Sequence, residues 1–242
     1  MADPIRLGML TPSSNTVLEP VTAAMAADMP GVTVHFGRFR VVEIGLGAAS
    51  RGQFDMAPML QAAELLADAK VHAICWNGTS ASWLGLDSDR RLCTAITERT
   101  GLPASSSVLA LAEMFRRAGV TRYGLVSPYT GDVQERIVAT LTQEGFACTG
   151  ERHSGESRNY YFAEVPAAEI ARMVREVAAT GPQAITILCT NMNGMALMPE
   201  LEAETGIPIF DSIATAMWGA LRAAGGDPGR LARWGRVFRE VR

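Results

Sequence analysis

The sequence predicts an α/β protein of two pseudo-symmetric, Rossmann-like lobes, each with a parallel four-stranded sheet, and a cleft between them. Three observations lead there. Short apolar runs alternate with amphipathic segments of helical length, which is the pattern of βαβ units and a parallel sheet. The alternation begins again near residue 122. Fragments of the second half then match fragments of the first in the same order.

In chain order, residues 5–10 read as a strand and 17–29 as a helix, entered through the capping pair Ser14-Asn15. Residues 32–41 read as a strand, 54–70 as a helix and 71–76 as a buried strand. A helix over 89–99 follows, and Gly101-Leu102-Pro103 leads through a short strand into a helix over 108–118.

The second copy opens with Arg122-Tyr123-Gly124-Leu125-Val126-Ser127-Pro128, against Arg6-Leu7-Gly8-Met9-Leu10-Thr11-Pro12. Ala184-Ile185, followed after three residues by Cys189-Thr190, matches Ala73-Ile74 and Gly78-Thr79. Thr205-Gly206-Ile207-Pro208, with Ser212 beyond, matches Thr100-Gly101-Leu102-Pro103 and Ser107. The offset between copies falls from 116 to 111 to 105 residues, so the length differences lie in connecting segments. One of these is a loop over 83–90, longer in the first copy. The expected division is a first lobe of residues 1–104 with 211–242, onto which the C-terminal helix packs back, and a second lobe of 105–210.

Composition sets the outer limits. An apolar fraction of 48%, a charged fraction of 19% and a formal charge of −3 are those of an ordinary soluble domain and give no case for nucleic acid or an anionic membrane. No apolar run reaches the roughly 18 residues that span a bilayer, and the first six residues lack the regions of a signal peptide. The cysteines at 75, 93, 148 and 189 show neither disulfide nor metal-ligand spacing, and they read as free thiols in a reducing cytoplasm. His35, His72 and His153 point to no zinc site or Ser-His-Asp triad. Without a GxGxxG or P-loop pattern, no nucleotide or flavin is indicated and no cofactor is expected. Arg230, Arg233, Arg236, Arg239 and Arg242 read as the solvated face of a terminal helix.

In open α/β sheets ligands bind beyond the carboxyl ends of the strands. Facing copies would share one cleft lined by residues 11–15, 78–82, 127–130 and 189–194. Cys189 ends an apolar strand and opens a polar turn, beside backbone N–H groups and a helix start that favour a thiolate or a bound anion. Most free cysteines are buried structural residues, but position and repeat symmetry mark this one as the candidate catalytic group. Cys75 aligns with Thr186, inside the strand, and reads as core, as do Cys93 and Cys148. Its strand-end counterpart is Gly78, where the missing side chain leaves space for a ligand. Gly78, Thr79 and Ser80 offer amides and hydroxyls for a carboxylate or oxyanion, although a plain capping turn has the same composition. Pro12, Ser14 and Asn15 lie at the equivalent strand end of the first copy, where capping also explains Ser14 or Asn15. Tyr129, in the matching loop of the second copy, can donate to a carboxylate. A thiol, hydroxyls, amides and a phenol suit carbanion chemistry next to a carboxylate.

Together these residues resemble the aspartate/glutamate racemase superfamily over nearly the whole chain. Thr11-Pro12-Ser13-Ser14-Asn15-Thr16 is similar to the first loop of maleate cis-trans isomerases, which implies that Asn15 binds a substrate carboxylate. Ser127-Pro128-Tyr129-Thr130 resembles the carboxylate-binding tyrosine loop, and Arg158-Asn159 resembles the segment of a second carboxylate-binding asparagine, Asn159. The two-cysteine members carry cysteine where this chain has Gly78, whereas arylmalonate decarboxylases carry glycine there. The stretch over residues 73–85 looks like the decarboxylase arrangement.

The resemblance implies a cofactor-independent enzyme acting on a small mono- or dicarboxylate. The leading expectation is a decarboxylase of aryl- or alkylmalonic acids. Thr79, Ser80, Tyr129 and the turns at Gly78 and Thr190 would hold one carboxylate, and Cys189 would protonate the enediolate. A maleate isomerase or Asp/Glu-type racemase is the alternative, and a catalytically inactive carboxylate-binding protein a further one. The sequence leaves open whether the chain forms a homo-oligomer.

Overall fold

A computed structural model describes residues 4–241. Strands β1 (Ile5–Pro12), β2 (Val32–Phe39), β3 (Ala73–Trp76) and β4 (Ala104–Ser106) form one sheet, in the order β2-β1-β3-β4. Strands β5 (Arg122–Ser127), β6 (Ala147–His153), β7 (Ala184–Ile187) and β8 (Ile209–Asp211) form a second sheet in the corresponding order β6-β5-β7-β8. Every pairing within the two sheets is parallel. The central strands are closed on both faces: all four residues of β3 and of β7 are buried. This is why they read as unbroken apolar runs rather than as alternating patterns.

The duplication is written into the ladders. Leu7 stands opposite Ala73 and Tyr123 opposite Ala184. Ile74 stands opposite Ala104 and Ile185 opposite Ile209. These pairs reproduce the three sequence offsets, and they make Cys75 the counterpart of Thr186, since Met9 faces Cys75 and Leu125 faces Thr186.

The last helix of each copy packs on the other copy. Helix Ser107–Arg117 is capped by the Ser106 hydroxyl, which accepts from Leu109 N at 3.1 Å. Its Phe115 meets Tyr123, Phe146 and Phe210 of the second half, with ring centroids 5.8, 5.3 and 5.0 Å away. Helix Ser212–Ala223, capped by Asp211, lies against β3 and β4 of the first half. The two helices also pack on one another: Thr215 Oγ1 donates to Ser107 O at 3.0 Å. At their crossing a β-carbon on Gly219 would stand 2.9 Å from Ala110 Cβ, so glycine permits the approach.

Three local expectations need correction. Residues 83–90 are not a loop: helices Ala81–Leu84 and Leu86–Thr100 occupy them, broken only at Gly85, whose φ of 96° suits glycine. The terminal arginines do not share one helix, because a 3₁₀ segment Pro228–Trp234 and a short helix Val237–Glu240 meet at Gly235, with φ of 155°. Arg230 donates to Pro30 O and Arg233 pairs with Asp28, so these two tie the tail to the first half. Arg242 lies outside the described residues. The first helix is Leu18–Ala27, shorter at both ends than its apolar pattern.

Candidate active site

The carboxyl ends of β1, β3, β5 and β7 meet across the cleft and enclose a cavity of about 20 Å³, roughly the room of one water molecule. Pro12, Gly78, Thr79, Ser80, Tyr129, Asn159, Cys189 and Thr190 line it, together with Val41, Ile44, Phe54, Trp76 and Trp83. Both halves contribute, and hydrogen bonds join them there. Thr79 Oγ1 lies 2.5 Å from the Tyr129 hydroxyl, and Thr190 Oγ1 donates to Asn77 O at 3.0 Å. Ser107 Oγ donates to Gly78 O at 2.6 Å and so fixes the turn after β3.

Cys189 sits two residues beyond the end of β7 and is 2% exposed. No helix begins beside it: a turn runs through residues 190–194, then a 3₁₀ segment, and helix Met198–Thr205 starts nine residues on. The expected helix dipole is therefore absent at the sulfur. Local donors remain, because Asn191 N donates to Sγ at 3.3 Å and the neighbouring Tyr129 phenol favours the ionised sulfur. Burial outweighs both and pushes the Cys189 pKa up to about 12. At neutral pH the group is a neutral thiol.

Burial also holds Tyr129 well above the ordinary phenol value, and the neighbouring sulfur adds to the effect. It is a neutral donor. The backbone N–H groups of Gly78, Thr79 and Thr190 form no hydrogen bond among the described residues. Free amides, hydroxyls and a phenol converging on one small space are groups that can donate to a carboxylate or a developing oxyanion.

Two sequence candidates stand behind the wall. Asn15 Oδ1 accepts from Val17 N at 3.0 Å and Leu18 N at 2.9 Å, which fixes the turn leading into the first helix, while Nδ2 donates to Thr190 Oγ1 at 3.1 Å. Ser14 Oγ donates to Val41 O at 2.6 Å and accepts from Asn159 Nδ2 at 2.8 Å. Both groups orient cavity-lining residues and do not themselves line the cavity. Asn191, unremarked in the sequence, ties the assembly together: Oδ1 accepts from Thr16 N at 2.9 Å and Nδ2 donates to Asn159 O at 2.6 Å.

Cys75 points elsewhere. It is fully buried, and its sulfur contacts Ala216 O of the crossing helix at 3.5 Å. Burial pushes its pKa up to about 12, as expected of a core thiol.

Sequence reasoning overlooked the aromatic wall and the cover. Phe54, Trp83, Tyr129 and Phe162 follow one another with centroids 5.9, 5.1 and 5.3 Å apart. Two connecting segments, one from each half, pair with one another and border the same cavity through Val41, Ile44 and Asn159, forming the cover. Ile44 N donates to Ser157 O at 2.7 Å, Asn159 N donates to Val42 O at 2.9 Å, and Glu43 faces Arg158 in an antiparallel bridge. The apolar run Val41, Val42, Ile44 and Leu46 in a connecting segment was the available signal. The space expected at Gly78 is also not open, because the Trp76 indole lies against that glycine.

Among the described residues no group of His, Cys, Asp or Glu is arranged to hold a metal ion, and no helix is long and apolar enough to cross a membrane.

Two duplicated parallel sheets meeting at a cavity lined by a buried thiol, hydroxyls and a phenol, with the fold of a solved maleate cis-trans isomerase, make this an α/β protein of the Asp/Glu racemase-like class. Within that class the chain belongs to the arylmalonate decarboxylase family, which matches it over residues 14–238. An arylmalonate decarboxylase of Bordetella bronchiseptica is 29% identical over 97% of this chain and 96% of its own length. A maleate isomerase of Nocardia farcinica is 27% identical over 90% of this chain and 89% of its own. Among solved structures, the Nocardia farcinica maleate cis-trans isomerase bound to TRIS superposes with a TM-score of 0.87 at 26% identity, covering 97% of this chain and 98% of that one. A crystal structure of arylmalonate decarboxylase gives 0.75 at 27% identity, over 97% and 99%.

Proposed function

We propose that this chain decarboxylates malonate-type acids, without a cofactor, through an enediolate that Cys189 protonates from one face. The observation that carries the reading is the asymmetry of the cavity. One neutral thiol lines it, and the corresponding position of the other half is Gly78, overlain by an indole.

One substrate carboxylate would accept from Thr79, Ser80, Tyr129 and the free amides of Gly78, Thr79 and Thr190. The second would lie against Val41, Ile44, Phe54 and Trp83, where lack of hydration favours its loss as carbon dioxide. When the carbon–carbon bond breaks, its electron pair enters the retained carboxylate as an enediolate. The oxyanion donors stabilise this charge. Cys189 then gives its proton to the carbon, and the thiolate left behind is reprotonated from solvent. A pKa near 12 suits a group that must hold its proton until the carbanion forms. The wall residues leave little room in the closed form, so the paired cover segments must separate to admit substrate.

The test is carbon dioxide release from a panel of aryl- and alkylmalonates. Wild-type protein is expected to release it, and Cys189→Ala to be inactive. No release across the panel, or full activity in the variant, would overturn the reading.

The second reading is isomerisation of a cis dicarboxylate. It is supported by the likeness to maleate isomerase, with a TM-score of 0.87, and by Asn159 on the cavity wall. Conversion of maleate to fumarate by the wild-type protein, with no carbon dioxide from malonates, would establish it instead.

A further inference from the structure

Trp76 and Gly78 are two residues apart at the end of β3, and the indole covers the glycine. A β-carbon built on Gly78 would stand 2.0 Å from Cζ2, 2.4 Å from Cη2 and 2.5 Å from Cε2 of Trp76. Side chains do not approach that closely, so any residue other than glycine at 78 requires the indole to leave its place.

The indole is held firmly. Trp76 is 1% exposed, its backbone pairs with Leu10 on one side and Ser106 on the other, and its ring packs on Phe39 with centroids 5.1 Å apart. Trp76 also borders two cavities. One is the small cavity of Cys189, and the other, of about 230 Å³, is lined also by Phe54, Met59, Leu84, Asp89 and Leu92. To make way for a side chain at 78, the ring would have to turn toward that second cavity and give up its packing on Phe39. Its Nε1, already buried without a partner, would travel with it.

We infer that Trp76 fixes the reaction specificity of this chain: its indole occupies the volume that a second acid or base opposite Cys189 would need. The inference rests on the reading of Cys189 as the proton donor. Exchange of an α-hydrogen between two faces needs a thiolate on one side and a thiol on the other. The thiolate takes the proton as the carbon–hydrogen bond breaks, the electron pair rests in the enediolate, and the opposing thiol delivers its own proton. With the indole in place only half of that pair fits. A second thiol therefore becomes effective only when position 76 is cut back in the same protein.

The experiment compares wild type with W76L, G78C and the double variant W76L/G78C, with W76F/G78C as a second double should leucine leave too large a void. The first readout is thermal unfolding, which does not depend on the substrate. G78C alone is expected to lower Tm by about 5 °C or more, because the side chain overpacks the site and the indole must give up its place. The double variant is expected to recover most of what G78C loses relative to its own single-substitution parent, W76L. The second readout is incorporation of solvent deuterium at the α-carbon of each enantiomer of 2-phenylpropanoate, followed by loss of optical purity. The double variant is expected to exchange and invert at least tenfold faster than G78C or wild type. Additive Tm changes, or a G78C protein as stable as wild type and as fast in exchange as the double, would overturn the inference. Wild-type inactivity on malonates with strong coupling in Tm would overturn the decarboxylase reading alone and leave the exclusion by Trp76 standing.

Discussion

The hydroxyls of Thr79 and Tyr129 lie 2.5 Å apart, one contributed by each half of the duplicated chain. This contact brings the two half-sites together at one point, and Tyr129 also reaches the Cys189 thiol. Removing the phenol leaves the aromatic wall intact while deleting the hydrogen-bonding partner of Thr79 and the hydroxyl beside Cys189. Tyr129→Phe is expected to lower kcat/KM for a malonate roughly 100- to 1,000-fold, as loss of one oxyanion donor does. The hydrogen bond itself contributes about 1 kcal/mol to folding, so Tm should fall by only a few degrees. Steady-state kinetics and a melting curve check the two halves of this expectation.

Alkylation distinguishes the buried thiol from an activated one. Because the thiolate is the nucleophile and burial raises the Cys189 pKa to about 12, iodoacetamide should label this residue slowly at pH 7. The rate should still be rising at pH 10, which mass spectrometry of the peptide carrying Cys189 would follow. A plateau below pH 8 would mean a thiolate site and a different chemistry. Cys189→Ser should slow turnover at least 100-fold, in line with loss of a general acid.

Two buried carboxyls make stability depend on pH. Burial raises Asp89 to about 7 and Asp211 to about 8, and one oxygen of each has no partner. In the unfolded chain both ionise near 4, so between pH 4 and their folded values the native state holds protons that the unfolded state releases. Stability should therefore fall as pH rises from about 4 to 8, by on the order of 1 kcal/mol per unit for each carboxyl, and level off above. Asp211→Asn should flatten the upper part of that curve. It keeps an acceptor for Ile213 N, which the carboxylate now receives at 2.8 Å.

The cover can be tested by closing it. Glu43 and Arg158 face one another across an antiparallel bridge, a separation compatible with a disulfide. Replacing both with cysteine and oxidising should abolish turnover, and a reductant should restore it. Unchanged activity in the oxidised form would show that substrate enters by another route.

Much of this arrangement was legible in the sequence because a repeat carries its own internal reference. The offsets between Arg6 and Arg122 or Gly78 and Cys189 are those of the observed ladders, and they separate the strand-end thiol from Cys75 without any coordinates. What escaped was set by side-chain direction across long distances in the chain. Trp76 read as a strand residue, and no local pattern says that its ring folds back over Gly78. Asn15 has the right composition for either a cap or a ligand group, and no local pattern says that its carboxamide joins Val17, Leu18 and Thr190. The cover escaped because the backbone of residues 42–44 pairs with that of 157–159, more than a hundred positions away.

The crossing of helices Ser107–Arg117 and Ser212–Ala223 has a consequence for how the chain can be divided. Each half carries the helix that completes the other, with Phe115 buried among rings of the second half and Thr215 bonded to the first. A polypeptide ending near Gly119 would present Phe115 to water and lack the helix that covers β3 and β4. Such fragments are expected to be insoluble separately and to regain structure on mixing, each supplying the other's missing piece. The linker between the copies is then a convenience of stoichiometry: it guarantees one partner for every half.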